Sequence, residues 1–167
     1  GSSPSGLPEL LPFAARLTLE RIGNSDALYH NIEHTMLVTL VGHDILVGRA
    51  LQRTTTVADY ANFIMACLTH DIGYVRGVVQ DDEEDAYVAD ITGRKIRLPV
   101  GSSDAALAPY HVDRSKLFVF ERFDVRGLSA RGGERDLHRP ACAVACIVRL
   151  EHLGHPADRQ PPTKPIG

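Results

Sequence analysis

Two short histidine motifs, each beside a run of helical apolar period, limit this chain to folds that bring two helices together. The first is Tyr29-His30-Asn31-Ile32-Glu33-His34. The second is Thr69-His70-Asp71-Ile72-Gly73, whose His70 lies thirty-six residues after His34. Residues 8–22 read as a first helix with Leu10, Leu11, Phe13, Ala14, Leu17 and Ile22 as its apolar positions, ended by Gly23-Asn24. Asn24 or Ser25 is placed to cap a second helix that carries His30 and His34 and runs to about Ala50 or Leu51. Its Met36, Leu37, Leu40, Val41, Ile45 and Val47 are too dense for a surface helix, which predicts a central one. Thr56, with Asp59 three residues on, has the form of a capping box and opens a third helix over residues 57–70.

Gly73 and Gly77 end that helix. Residues 78–112 form a long excursion with an acidic run, Asp81-Asp82-Glu83-Glu84-Asp85, read as a solvated loop face. Two β-like pieces, about Tyr87–Ile91 and Lys95–Leu98, flank the turn Thr92-Gly93 and predict a small hairpin. A fourth helix begins near Asp113 or Ser115 and carries Leu117, Phe118, Phe120 and Phe123; Phe63, Leu68, Phe118 and Phe120 are expected in the core. After about residue 124 the aromatic residues disappear and Arg, Gly, Pro and Ala dominate. The expected organisation is therefore residues 1–7 as a tag or unstructured start, a helical domain over 8–124, and an atypical tail over 125–167. That tail has one helix, Pro140–Leu153, and an extended Pro-rich end.

Composition removes several functions. The net charge of −3 gives no global attraction to nucleic acid or anionic membrane, and no apolar run approaches the roughly 20 residues a membrane span needs. Cys67, Cys142 and Cys146 are an odd number, which suggests reduced thiols in a cytoplasmic protein.

The chemistry lies in the motifs. Four residues apart on a helix, His30 and His34 would lie about 40° from each other on one face, while His43 would point to the opposite side. His70 and Asp71, adjacent at a helix end, can both reach an ion lying over that terminus. Mixed His and Asp ligation suits Zn, Mn, Fe or Ni, and Mg at a carboxylate-rich second position, with one or two ions.

The set Tyr-His-Asn-x-x-His followed by His-Asp on a later helix resembles the HD-domain metal-dependent phosphohydrolase superfamily, closest to its cyclic-nucleotide-phosphodiesterase-like branch. The stretch Ala105 to Arg114, then Lys116-Leu117-Phe118 and Glu121-Arg122-Phe123, is similar to a bacterial HD-domain group. The resemblance covers roughly residues 10–124. It implies an all-α HD-type bundle, here with a hairpin excursion near residues 78–100. It implies His34, His70 and Asp71 as ligands of a divalent metal, and His30 as the general acid for a leaving oxygen after attack by metal-activated water. Asn31 would orient His30 or the substrate. His111, Arg114 and Lys116 are candidate substrate contacts, His111 alternatively a second-metal ligand. The expected activity is hydrolysis of a phosphomonoester or phosphodiester, such as a nucleotide.

The family closes its metal sphere with an Asp on a late helix, and nothing after residue 124 matches that pattern. A diverged tail supplying His138 or Asp136, a degenerate site, and a tail in a shifted reading frame are three accounts of the gap. The gap sustains an alternative function, a non-catalytic helical module that binds a ligand or partner, with a homodimer formed through Val144, Ile147, Val148 and Leu150.

Overall fold

The computed structural model of the chain describes residues 7–52 and 54–123. Expectations placed on residues 1–6 and 124–167, including the tail helix and its cysteines, lie outside these. The described residues form four α-helices, α1 (Leu7–Ile22), α2 (Ile32–Ala50), α3 (Val57–Thr69) and α4 (His111–Phe123). Between α3 and α4 stand two short strands, β1 (Ala86–Val88) and β2 (Lys95–Arg97). The structure is thus mostly helical with a small antiparallel sheet, and among the described residues no helix is long and apolar enough to cross a membrane.

Helix α3 is the hub. Thr56 caps it in a full capping box with Asp59, as the sequence predicts. Ala61 and every residue from Ile64 to Thr69 are buried, and α1 and α2 both pack against it. The main core joins Leu10, Ala14 and Ile22 of α1, Met65 of α3, Val88 of β1, and Phe118, Val119 and Phe123 of α4. Phe120 is exposed, because the period that turns Phe118 and Val119 inward turns it outward.

Helix α2 departs from expectation twice. It starts at Ile32, not near Ser25, so His30 precedes the helix and shares no helical face with His34. The competing caps are engaged elsewhere: Ser25 Oγ donates to Asp104, and Asn24 Nδ2 donates to Glu20 O at the end of α1. Asn31 is the cap instead, its side chain accepting from His34 N at 3.0 Å. Nor is α2 buried all round. It buries Thr35, Gly42 and Leu46, while the six large apolar residues of the predicted core face are 49–59% exposed. A small face is what a close crossing requires: a Cβ on Gly42 would stand 2.6 Å from Cys67 Sγ of α3.

The hairpin is real and shorter than predicted. Ala86 pairs with Arg97, Tyr87 with Ile96 and Val88 with Lys95. Ala89 and Asp90 leave the strand because Asp90 builds the turn. It accepts from Thr92 N and Thr92 Oγ1 and from Arg94 Nε, and Gly93 takes φ 78°, a left-handed conformation open to glycine. Helix α4 begins at His111, ahead of the predicted start, and follows a 3-10 turn at Asp104–Leu107.

Candidate metal centre

The end of α3 delivers two donors side by side. His70 is its C-cap, and its Nδ1 lies 2.7 Å from Cys67 O. A carbonyl only accepts, so Nδ1 donates to it and Nε2 is the ring atom turned toward the cluster. That Nε2 lies 3.0 Å from Asp71 Oδ2 and 3.3 Å from His34 Nε2, and His34 Nε2 lies 3.3 Å from the same Asp71 oxygen. The three residues that the spaced motifs single out therefore form one small triangle.

His30 joins them from the bend before α2, with Nδ1 2.6 Å from Asp71 Oδ2. His30, His34 and Asp71 offer ligand atoms within 4.8 Å of one another and could hold a metal ion. Three imidazole nitrogens around one carboxylate oxygen need protons or a cation between them. The 3.0–3.3 Å triangle matches the roughly 3.3 Å edge of a tetrahedral sphere with bonds of about 2.0–2.1 Å. Asp71 Oδ1 is buried and has no hydrogen-bond partner among the described residues, and the lock of His70 on Cys67 O is the usual outer support of a metal-bound imidazole. The donor set thus fits a cation. Burial alone would push the Asp71 carboxyl up; the hydrogen bonds from His30, His34 and His70, with the charge at His70, outweigh it and hold the group well below the usual carboxylate range.

Aromatic rings frame the cluster. The His30 ring stacks on Tyr74 at 4.0 Å, and Tyr74 stacks on His111 at 4.5 Å. Tyr29 meets His30 edge-on and leans over His34. His30 is the most open member of the cluster, its side chain 24% exposed against 16% for His34, 1% for Asp71 and 0% for His70.

Helix α4 holds the turn that carries the donors. Ser115 Oγ accepts from Gly73 N and donates to His70 O, both at 2.9 Å. Arg114 Nε donates to Gly73 O, while its other nitrogens donate to Val75 O, Val88 O and both oxygens of Asp82. Only glycine permits this approach, since a Cβ at position 73 would stand 2.0 Å from His111 O.

Two expectations change here, at Arg114 and Asp82. Arg114 is no substrate contact: its side chain is wholly buried and its donors are committed to Asp82 and three carbonyls. Asp82 is correspondingly no part of a solvated acidic face, because the guanidinium has drawn it inside. His111 is buried, donates from Nδ1 to Ala108 O and stacks on Tyr74, one ring away from His30. Asn31 accepts from His34 N and donates to Leu28 O, so it caps α2 and shapes the bend that presents His30. Lys116 pairs with Asp113 on its own helix and none of its described contacts reaches the cluster. His43, set aside from the sequence, does lie apart, on Tyr60.

Tyr74, Ser115 and the Asp82 partnership carry no local signature, since each acquires its role from a residue on another element. A cavity of about 340 Å³ lined by Arg21, Asn24, Asp26, Val75, Arg76 and Asp104 contains none of the cluster's donors.

The sequence model of a family described as Npun_R2479-like matches residues 1–130, a span that includes every described residue. No curated protein and no solved structure matches the chain.

Proposed function

The chain belongs to the Npun_R2479-like family, and we propose that it is a metal-dependent phosphohydrolase of the HD type, acting on a phosphomonoester or phosphodiester such as a nucleotide. The observation that carries this reading is the convergence of His34, His70 and Asp71 within 3.3 Å of one another, with His30 on the same carboxylate at the open edge.

In this reading His34 Nε2, His70 Nε2 and Asp71 hold a divalent cation. When bound, such an ion supplies Lewis-acid stabilisation of phosphoryl charge and makes a water nucleophilic near neutral pH. His30 is the proton donor. Its Nδ1 is anchored on Asp71, which leaves Nε2, on the far edge of the ring, free in direction to protonate a leaving oxygen. Tyr74 and Tyr29 hold that ring in place by contact on its face and edge. Burial of Asp71 and His70 keeps bulk water from the cation on the protein side, where fixed charges act most strongly.

A second reading has one specific observation in its favour. His30, His34, His70 and Asp71 are four donors, and four protein ligands make a closed tetrahedral sphere of the structural kind. The chain would then be a helical module that carries a metal without catalysis.

Elemental analysis of purified protein, paired with hydrolysis of generic phosphoesters in added Mn²⁺, separates the two. The hydrolase reading expects His70→Ala to lose both metal and activity, and His30→Ala to keep the metal while losing activity. Loss of metal in His30→Ala, with no hydrolysis by the parent chain, establishes the closed module. Metal-free parent protein that stays inert in Mn²⁺ overturns both.

A further inference from the structure

Among the described residues, the long exposed face of α2 is a large apolar feature that the site does not use. At about 100° per residue, His34, Leu37, Val41, Ile45 and Gly48 share one ridge. Their spacings of three, four, four and three residues read the same in either direction. Met36, Leu40 and Val47 lie along one flank. All six large apolar members are 49–59% exposed. Side chains of that size and exposure amount to roughly 500 Å² of apolar surface, at the upper end of what a lone domain presents. A stable interface buries about 800 Å² per partner, of which about 60% is apolar, so the face has the area one side of a dimer requires.

We infer that a second copy of this chain covers this face, α2 packing antiparallel on α2 about a two-fold axis through Val41. The palindromic ridge is the reason for the choice of occupant. Antiparallel pairing about Val41 places each Leu37 against the other copy's Ile45, and each His34 against the other copy's Gly48. Large residues meet large ones, and the one ridge residue without a side chain comes to the metal centre, where it leaves room over His34. Leu51, 86% exposed one turn beyond, then comes toward the exposed Leu28 and Tyr29 at the mouth of the cluster. Glu33 and Asp44 stand on the same flank as Met36 and Leu40. The two-fold brings that flank against itself, so their like charges oppose association and salt relieves them. The inference rests on the α2 surface and stands whether or not the centre hydrolyses anything.

Sedimentation equilibrium of the full chain tests it. The expected result is a dimer whose dissociation constant falls several-fold on going from low to high salt. Val41→Glu, which sets two carboxylates on the axis, is expected to raise that constant at least a hundredfold, and Val57→Glu, exposed but outside the ridge, to leave it unchanged. Circular dichroism of each variant reports folding. If Val41→Glu fails to fold, Val41→Cys is read instead: on mild oxidation it forms a disulfide through position 41, located by mass spectrometry, that a Val57→Cys control does not form. A parent chain that stays monomeric at the highest attainable concentration overturns the proposal. So does a dimer indifferent to Val41→Glu. A monomer whose α2 face is protected from solvent in hydrogen exchange, meaning that another part of the chain covers it, overturns it as well.

Discussion

The His70–Asp71 turn is held from two sides in opposite ways. On the α4 side, Arg114 and Ser115 bind the turn through a buried polar network that spans α4, β1 and Asp82. On the α2 side the turn meets mainly a ring, His34, presented by a helix whose remaining large apolar residues face outward. The difference teaches which half of the centre is fixed. The carboxylate and His70 are positioned by groups that lose much if displaced. His34 and His30 are positioned by one cap, by ring contacts and by their contacts to Asp71 itself. Among the described residues no buried network of the kind Arg114 supplies stands behind them, so the α2 half is where the site can adjust to a metal or to a cover.

The sharpest way to break this contrast is Arg114→Met. Removing the cation leaves Asp82 buried and unpaired, and urea unfolding should show a loss of about 3–5 kcal/mol, much of it regained when Asp82→Leu is added. A loss of only a few tenths would mean that the α4 side is no more fixed than the α2 side. Ser115→Ala comes next. It strands Gly73 N and His70 O, for an expected cost of about 1–3 kcal/mol, and should weaken zinc binding roughly 10–100-fold in chelator competition. Unchanged zinc affinity in a folded variant would detach the clamp from the metal centre. Asn31→Ala tests the other half: loss of the α2 cap should cost about 1 kcal/mol in the same urea assay, with Asn31→Asp near parental stability. A cost matching that of Arg114→Met would erase the contrast.

The smallest effect belongs to the hairpin turn. Thr92, then Arg94, hold the Asp90 carboxyl down to about 2 from its ordinary 3.8. A folded-state value below the unfolded one means that the contribution is complete above about 4 and fades as pH falls toward 2. Asp90 is at the surface, so the effect on stability is slight, and an NMR titration of its carboxyl is the proper readout. A midpoint near the ordinary value would show that the turn bonds do not persist in solution.

These contrasts track what was legible in the sequence. The α3 capping box was plain because both partners lie within one turn, and the grouping of His34, His70 and Asp71 was plain because the two motifs that carry them resemble a known pair. Local competition hid the start of α2. Asn24, Ser25 and Asn31 are all competent caps, and the choice among them was made by Asp104, far along the chain. Distance hid Arg114. A cation beside an acidic run reads as a solvated pair until β1 and the turn after α3 close around it. The α2 face misled for a related reason. Apolar density reports that a surface is to be covered, and it does not say by what.

The clamp also sets an order of events. Arg114 reaches Gly73 across forty-one residues, and Ser115 reaches His70 across forty-five. Contacts across that many residues carry a larger closure cost than those within one helix, so the donor turn is expected to take its final shape after the helices themselves have formed. During synthesis, His34, His70 and Asp71 are all made well before the residues that hold them in register. A cation held by these donors would therefore be captured only once α4 has docked, and an opening of α4 would loosen its site. The persistence of the donor arrangement is thereby tied to the docking of one helix.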